Sequence, residues 1–320
     1  SLLEIKKLVE MTLVRVDQAK SIKSVMEPRS KIITHSGGFH TDEVFAIATL
    51  SILLGGNIEI IRSREKEVIE SGDYCVDVGF VYSPETNRFD HHQEGGAGER
   101  DNGIPYSSFG LVWKSYGEQV CGSREVADII ETDIVQPIDA DDCGVDMTKS
   151  VIKNVNPFTI GRIINRFRPV SHEKGKSMDG AFLEAVDFAE KILLREISHT
   201  KEELYAKQII LDTYKKQSDK KILILKDHIP WEPTVMDCLP KVLFVVYPHS
   251  KQWRITAIRR DWSTFESRKR LPKAWWGLAD KDLAKASTIS DATFCHPTGF
   301  TGGALSKEGV LKMAYIAVDK

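Results

Sequence analysis

The sequence predicts an α/β protein: a doubly wound, mostly parallel sheet, then a helical connector and a second α+β domain. Three observations carry this. Short β-rich runs alternate with a helix in the first quarter, a long helical stretch fills the middle, and strand-like runs return after residue 220. At 320 residues the chain has the length of about two domains.

Element by element, residues 2–16 place Leu2, Ile5, Leu8, Val9, Leu13 and Val16 at roughly helical spacing. That amphipathic helix has a face for its own core or for a second copy in a homodimer. Lys31–Thr34 reads as a strand running into the loop His35–Asp42, and a helix follows, capped by Thr41 or Asp42 and closed before Gly55. Ile58–Ile61 and Tyr74–Val78 read as further strands. Ligands of such sheets gather beyond the carboxyl ends of the strands, where His35 and Asp77 fall.

From Ser107 to about Gln217 the pattern is helical, with one stripe at Val126, Ile129, Ile130, Ile134 and Ile138. A second runs through Phe182, Val186, Ala189, Leu193 and Ile197. Ser171–Gly180 interrupts them and marks the seam. Strands are expected at Ile222–Leu225, Val242–Tyr247, Trp253–Ile258 and Ala292–Cys295, with a last helix from Ser306. The expected organisation is therefore an extension over 1–30, a first domain over 31–175, a connector over 176–217 and a second domain over 218–320.

Composition removes several classes. Net charge is −2, so nucleic-acid contact would need a local basic patch. The longest uncharged apolar stretch, 44–58, has 15 residues and contains Gly55, Gly56 and Asn57, too short and too broken to span a membrane. Five cysteines, no two closer than 22 residues and none in a CxxC pair, point to a reducing compartment, the cytoplasm by default. The first 30 residues have no continuous apolar run and carry Glu4, Glu10 and Asp17, unlike a secretory or transit signal.

Four of the nine histidines, His35, His40, His91 and His92, fall within 58 residues, each beside an Asp or a strand end. Imidazole with carboxylate suits divalent Mn, Fe, Co or Zn. With Asp42, Asp77, Asp90, Asp139 and Asp142 there are more ligands than one ion needs, enough for two ions bridged by a carboxylate. A lone histidine is more often a satisfied core residue; four ordered segments at strand ends reverse that expectation.

These segments resemble the four ordered motifs of the DHH phosphoesterase superfamily: His35-(x4)-His40-x-Asp42, Val76-Asp77-Val78-Gly79, Phe89-Asp90-His91-His92 and Asp139-Ala-Asp-Asp142-Cys-Gly144. More narrowly the chain resembles the Myg-type (melanocyte-proliferating-gene) family. The second half matches too, through Gln252-Trp-Arg254, Phe265-Glu-Ser-Arg268, Trp275-Trp-Gly-Leu278 and His296-Pro-Thr-Gly-Phe-Thr-Gly-Gly303. His40 stands where the commoner first motif has Asp, in a loop one residue longer.

The resemblance implies a metal-dependent phosphodiester hydrolase, a 3′-to-5′ exonuclease on RNA or short oligonucleotides, using two Mn²⁺. Its metal ligands are expected among His35, His40, Asp42, Asp77, Asp90, His91 and Asp142, with Asp139 the second choice at the fourth motif. Asp90, His91 and His92 carry the catalytic expectation, with His91 on the metal and His92 on the phosphate. The second domain is expected to grip substrate. Between Lys251 and Trp275 eight basic residues interleave with Trp253, Trp262, Phe265 and Trp275, a pattern suited to single strands. Arg259, Arg268 and His296 are the expected contacts, with Gly302 and Gly303 as open amides before the Ser306 helix. Two rival readings use the same residues: a small-molecule phosphatase or pyrophosphatase, and a non-catalytic metal or nucleotide sensor.

Overall fold

A computed structural model describes residues 28–320. The helix expected over residues 2–16 lies outside the described residues. The chain divides at Thr200/Lys201 into two compact units.

In the first unit, β1 (Ser30–Thr34), β2 (Ile58–Arg62), β3 (Tyr74–Val76), β4 (Tyr82–Ser83) and β5 (Arg88–Phe89) form one sheet in the order β2-β1-β3-β5-β4. All neighbours are parallel except the β4–β5 edge. The strand interiors are buried on both faces, as in a parallel sheet: Ile32, Ile33, Cys75, Val76 and Phe89 are fully enclosed. Helix α1 (Thr41–Leu53) is buried along nearly its whole length, as an all-round apolar helix must be. It packs on α3 (Ser108–Cys121), with α2 (Lys66–Glu70) lying between β2 and β3 in the chain. The cap of α1 is His40, not Thr41 or Asp42. The Glu43 carboxylate, three residues on, accepts the His40 N–H at 2.8 and 2.9 Å.

The first helical stripe runs through α4 (Arg124–Ile130) and α5 (Gln136–Asp142), joined by a π-helical turn at Glu131–Val135. That extra residue shifts the pattern. Val126, Ile130, Val135 and Ile138 are buried, so Val135 takes the place expected for Ile134. A short α6 (Ile160–Asn165) precedes α7 (Met178–Lys216), 39 residues long. Phe182, Val186, Ala189, Leu193 and Ile197 are all buried on α7, as the second stripe predicts.

In the second unit, β6 (Ile222–Ile224), β7 (Phe244–His249), β8 (Gln252–Ala257), β9 (Ala292–Cys295) and β10 (Thr301–Ala304) pair in the order β6-β7-β8-β10-β9. Only β6–β7 is parallel, so this half is α+β. Its helices are α8 (Glu232–Cys238), α9 (Asp280–Ser287) and α10 (Lys307–Asp319). Phe244, Val246, Ile255, Val310 and Met313 form one core, and Ile210, Leu223, Val235 and Val245 another, on alternate residues of β7. No helix among the described residues is long and apolar enough to cross a membrane.

Candidate metal centre

Because β1, β3 and β5 lie side by side and parallel, their carboxyl ends open on one edge. His35 follows β1, Asp77 follows β3, and Asp90-His91-His92 follows β5. The start of α1 brings His40, Asp42 and Glu43 to the same place. The end of α5 brings Asp142 and Cys143.

Asp77 is the hub, held with φ +55° in the left-handed region that few non-glycine residues adopt. Its Oδ2 lies 3.2 Å from His35 Nε2, and its Oδ1 lies 3.4 Å from His91 Nε2 and 3.2 Å from His92 Nδ1. Ser108 Oγ also donates to it. His35 Nε2 is 3.0 Å from Glu43, and His91 Nε2 is 3.3 Å from Asp142 and 3.9 Å from Asp42.

Four sets of donor atoms are close enough to hold a cation: His35, His40, Glu43 and Asp77; Asp77, His91 and His92; His91, Asp142 and Cys143; His40, Asp42 and Asp142. Consecutive sets share Asp77, His91, Asp142 and His40, so the four close into a ring. Both carboxylate oxygens of Asp42 are fully buried with no hydrogen-bond partner. An unpartnered buried carboxylate is costly, and a divalent ion seated against it would remove that cost. The donor set therefore fits a metal. Oxygen and imidazole donors predominate, with one thiol at the Asp142 end.

The electrostatics agree. Burial pushes the Asp42 carboxyl well above the usual range, and the negative Asp77, Glu43 and Asp142 push it further. Burial likewise raises Asp142, against the opposing pull of His91. Burial works against the charged imidazoles of His35 and His91. Asp77, with Glu43 at His35 and with Cys143 and Asp142 at His91, outweighs it, and both are pushed up to about 10. Asp77 raises His92 to about 9, against burial and with help from Asp90. Burial would raise Asp77, but hydrogen bonds from His35, His91 and His92 hold it far below the carboxylate range.

Not every expected ligand joins the ring. Asp90 stands behind it: Oδ1 accepts the His92 N–H at 3.0 Å and meets His92 Nδ1 at 2.9 Å, while Oδ2 accepts the Phe80 N–H at 2.7 Å. Asp139 is turned away. Arg100 donates to it at 2.7 Å, Ser107 Oγ at 2.5 Å and the Gly110 N–H at 3.0 Å, and burial lifts its carboxyl to about 6. One helical turn separates it from Asp142, so the two carboxylates of one motif meet different surroundings. Glu43 and Cys143 join the donor sets without having been singled out from the sequence. Glu43 lies three residues beyond the cap His40, a spacing hidden in the sequence, where the cap is expected at Thr41 or Asp42.

In the second unit three of the expected contacts, Arg268, Gly302 and Gly303, have structural roles. The Arg268 guanidinium donates to the carbonyls of Leu239, Val242 and Met236. Gly302 and Gly303 are not an open cradle: they are buried in β10, paired with β8 on one side and β9 on the other. A Cβ on Gly303 would fall 2.8 Å from the Phe294 ring and 3.0 Å from the Trp253 carbonyl, so glycine is required there by close packing. The start of α10 is already capped by Ser306, with the Asp291 carboxylate accepting both Ser306 N–H and O–H. Arg259 pairs with Glu232 at 3.2 Å and lies over Phe265, itself 85% exposed. His296 Nδ1 accepts the Thr298 N–H, which leaves its ring proton on Nε2.

A family model described as MYG1_exonuc, Uncharacterised protein family (UPF0160), matches residues 31–318. The chain belongs to this family. It is 30% identical over 329 residues to MYG1 exonuclease of Mus musculus, covering 92% of this chain and 87% of the mouse protein. It is 32% identical over 321 residues to MYG1 protein of Dictyostelium discoideum, covering 88% and 94%. With MYG1 exonuclease of Homo sapiens it shares 28% over 336 residues, covering 93% and 88%. The match takes in every residue of the donor ring.

Proposed function

We propose that this chain is a metal-dependent phosphodiester hydrolase of the DHH type that shortens RNA or short oligonucleotides from the 3′ end. The observation that carries the reading is the ring of shared donors around the buried, unpartnered Asp42. The names of the mouse and human relatives support an exonuclease. A pair of Mn²⁺ ions, when bound, would polarise a phosphoryl oxygen and make hydroxide available near neutral pH.

The chain's own residues do the rest. Asp77 belongs to two donor sets and is the natural bridging carboxylate, with His35, His40, Glu43, Asp42, His91 and Asp142 around it. His92 is the group for the leaving oxygen. Its ring is half exposed and lines a cavity, and Asp90 holds its Nδ1. Asp90 is a positioning residue for that ring. The second unit supports single-strand binding through exposed Phe265 and Trp262 beside Arg259 and Arg260, with His296 Nε2–H as a further donor. Five cysteines with no CxxC pair among them suit a reducing, cytoplasmic setting.

Incubation of a 5′-labelled single-stranded RNA with Mn²⁺ tests this. A ladder of shortened products that is missing with Asp77→Ala is the expected result. Release of phosphate from pyrophosphate with RNA left intact would replace this reading with that of a small-molecule phosphatase.

A further inference from the structure

Beside the donor ring the first unit holds a cavity of about 760 Å³, within the size range of small-molecule sites. His35, His40, Asp77 and His92 line one part of it, and none of the ring's chemistry explains the remainder. That remainder is an apolar wall of Ile69, Val78, Phe80 and Val81, with exposed Arg64 and Lys66 at the rim, Lys66 paired with Glu70 at 3.7 Å, and with Arg88 and Asp90 also lining it. Phe80 is the unusual member. It is 67% exposed, and it sits at φ +57°, a conformation that bulky residues rarely adopt. Burial gives little in return for that strain, and glycine would hold the same turn without it. Strain kept at an exposed aromatic beside a reactive centre marks a binding role. The turn is also tied to the site, because the Phe80 N–H donates to Asp90, the carboxylate that holds His92.

We propose that this cavity seats one nucleotide unit, with its base laid against Phe80 and its phosphate between the donor ring and the cationic rim of Arg64 and Lys66. The inference rests on the phosphodiesterase reading and narrows it. A bare pyrophosphate has nothing to place on an apolar wall, whereas a base has a flat face to stack there. The pairing of an aromatic platform with two exposed cations and a metal-type centre selects a ligand that is apolar at one end and anionic at the other.

The test compares binding of adenosine 5′-monophosphate with that of ribose 5-phosphate, by calorimetry on the full chain with Mn²⁺ present. The wild-type chain is expected to prefer the base-bearing ligand, and Phe80→Ala to reduce that preference about tenfold. Phe80→Trp retains it. Phe80→Gly loses it without lowering the unfolding temperature, because glycine accepts a positive φ freely; a merely structural Phe80 would give a less stable protein. Equal binding of the two ligands by the wild type, or an unchanged preference in Phe80→Ala, overturns the proposal. A chain that cleaves no phosphodiester but keeps a Phe80-dependent preference removes the enzymatic reading and leaves this site standing. Cleavage without any preference for a base does the reverse.

Discussion

The two units treat their polar residues in opposite ways. In the first, His35, Asp42, Glu43, Asp77, His91 and Asp142 face one another, and the two oxygens of Asp42 accept no hydrogen bond, with His91 Nε2 at 3.9 Å. In the second, Arg268 spends its guanidinium on three backbone carbonyls, and Gly302 and Gly303 fill a crowded strand. Both sets looked functional in sequence. What separates them is the partner. A charged group satisfied by the backbone holds the fold, whereas charges buried against each other cost stability and are retained for chemistry.

The largest test of that contrast is at Asp77 and Asp42. Asp77→Ala should abolish Mn²⁺ binding measured by calorimetry and reduce phosphodiester turnover by about a thousandfold or more. Asp42→Asn should lose activity comparably yet raise the melting temperature of the metal-free protein by about 2–4 °C, since an unpartnered buried carboxylate is removed. A fall in melting temperature would mean that Asp42 is structurally satisfied and would erase the distinction. Next in size is Arg268→Ala. Taking the guanidinium from three part-buried carbonyls, of which Leu239 O still accepts the Val242 N–H, should cost about 2–3 kcal/mol in urea unfolding. Activity per folded molecule should change far less than at Asp77.

A third test uses pH. An unfolded histidine titrates near 6.5, and His35 and His91 do so at about 10 in the folded, metal-free chain. The native state then binds more protons than the unfolded state between these values. Their contribution to stability is complete below pH 6.5 and is lost as pH rises towards 10. Chemical denaturation across that window should show the decline without metal. Saturating Mn²⁺ should flatten it, because the ion takes the place of the protons. The smallest effect is expected at His296, where replacement by Asn should raise KM for single-stranded RNA by about two- to fivefold and leave unfolding unchanged.

His35 and Asp77 were legible because they sit at the ends of readable strands, where backbone direction alone sends them to one edge, whereas His40, Asp42, His91, His92 and Asp142 were legible through the ordered motifs. The choice between Asp139 and Asp142 was not legible from spacing. It depends on Arg100, 39 residues earlier in the chain, and on the absence of a side chain at Gly110, where a Cβ would fall 1.9 Å from the Asp139 carboxylate. The strands β4, β5 and β10 went unread for local reasons. Two have two residues each, and the third contains consecutive glycines that show no apolar alternation. The π-helical turn likewise has no marker in sequence and moved one stripe by a residue.

Because each donor set borrows a residue from its neighbour, the sites are not separate containers. A cation seated in one set engages a side chain that the next also needs, Asp77, His91, Asp142 or His40. Occupancy will therefore not build up as identical, independent steps: the second ion meets a cavity already depleted and recharged by the first. A titration of apo protein should give a multiphasic isotherm whose later phase collapses when a single shared side chain is replaced.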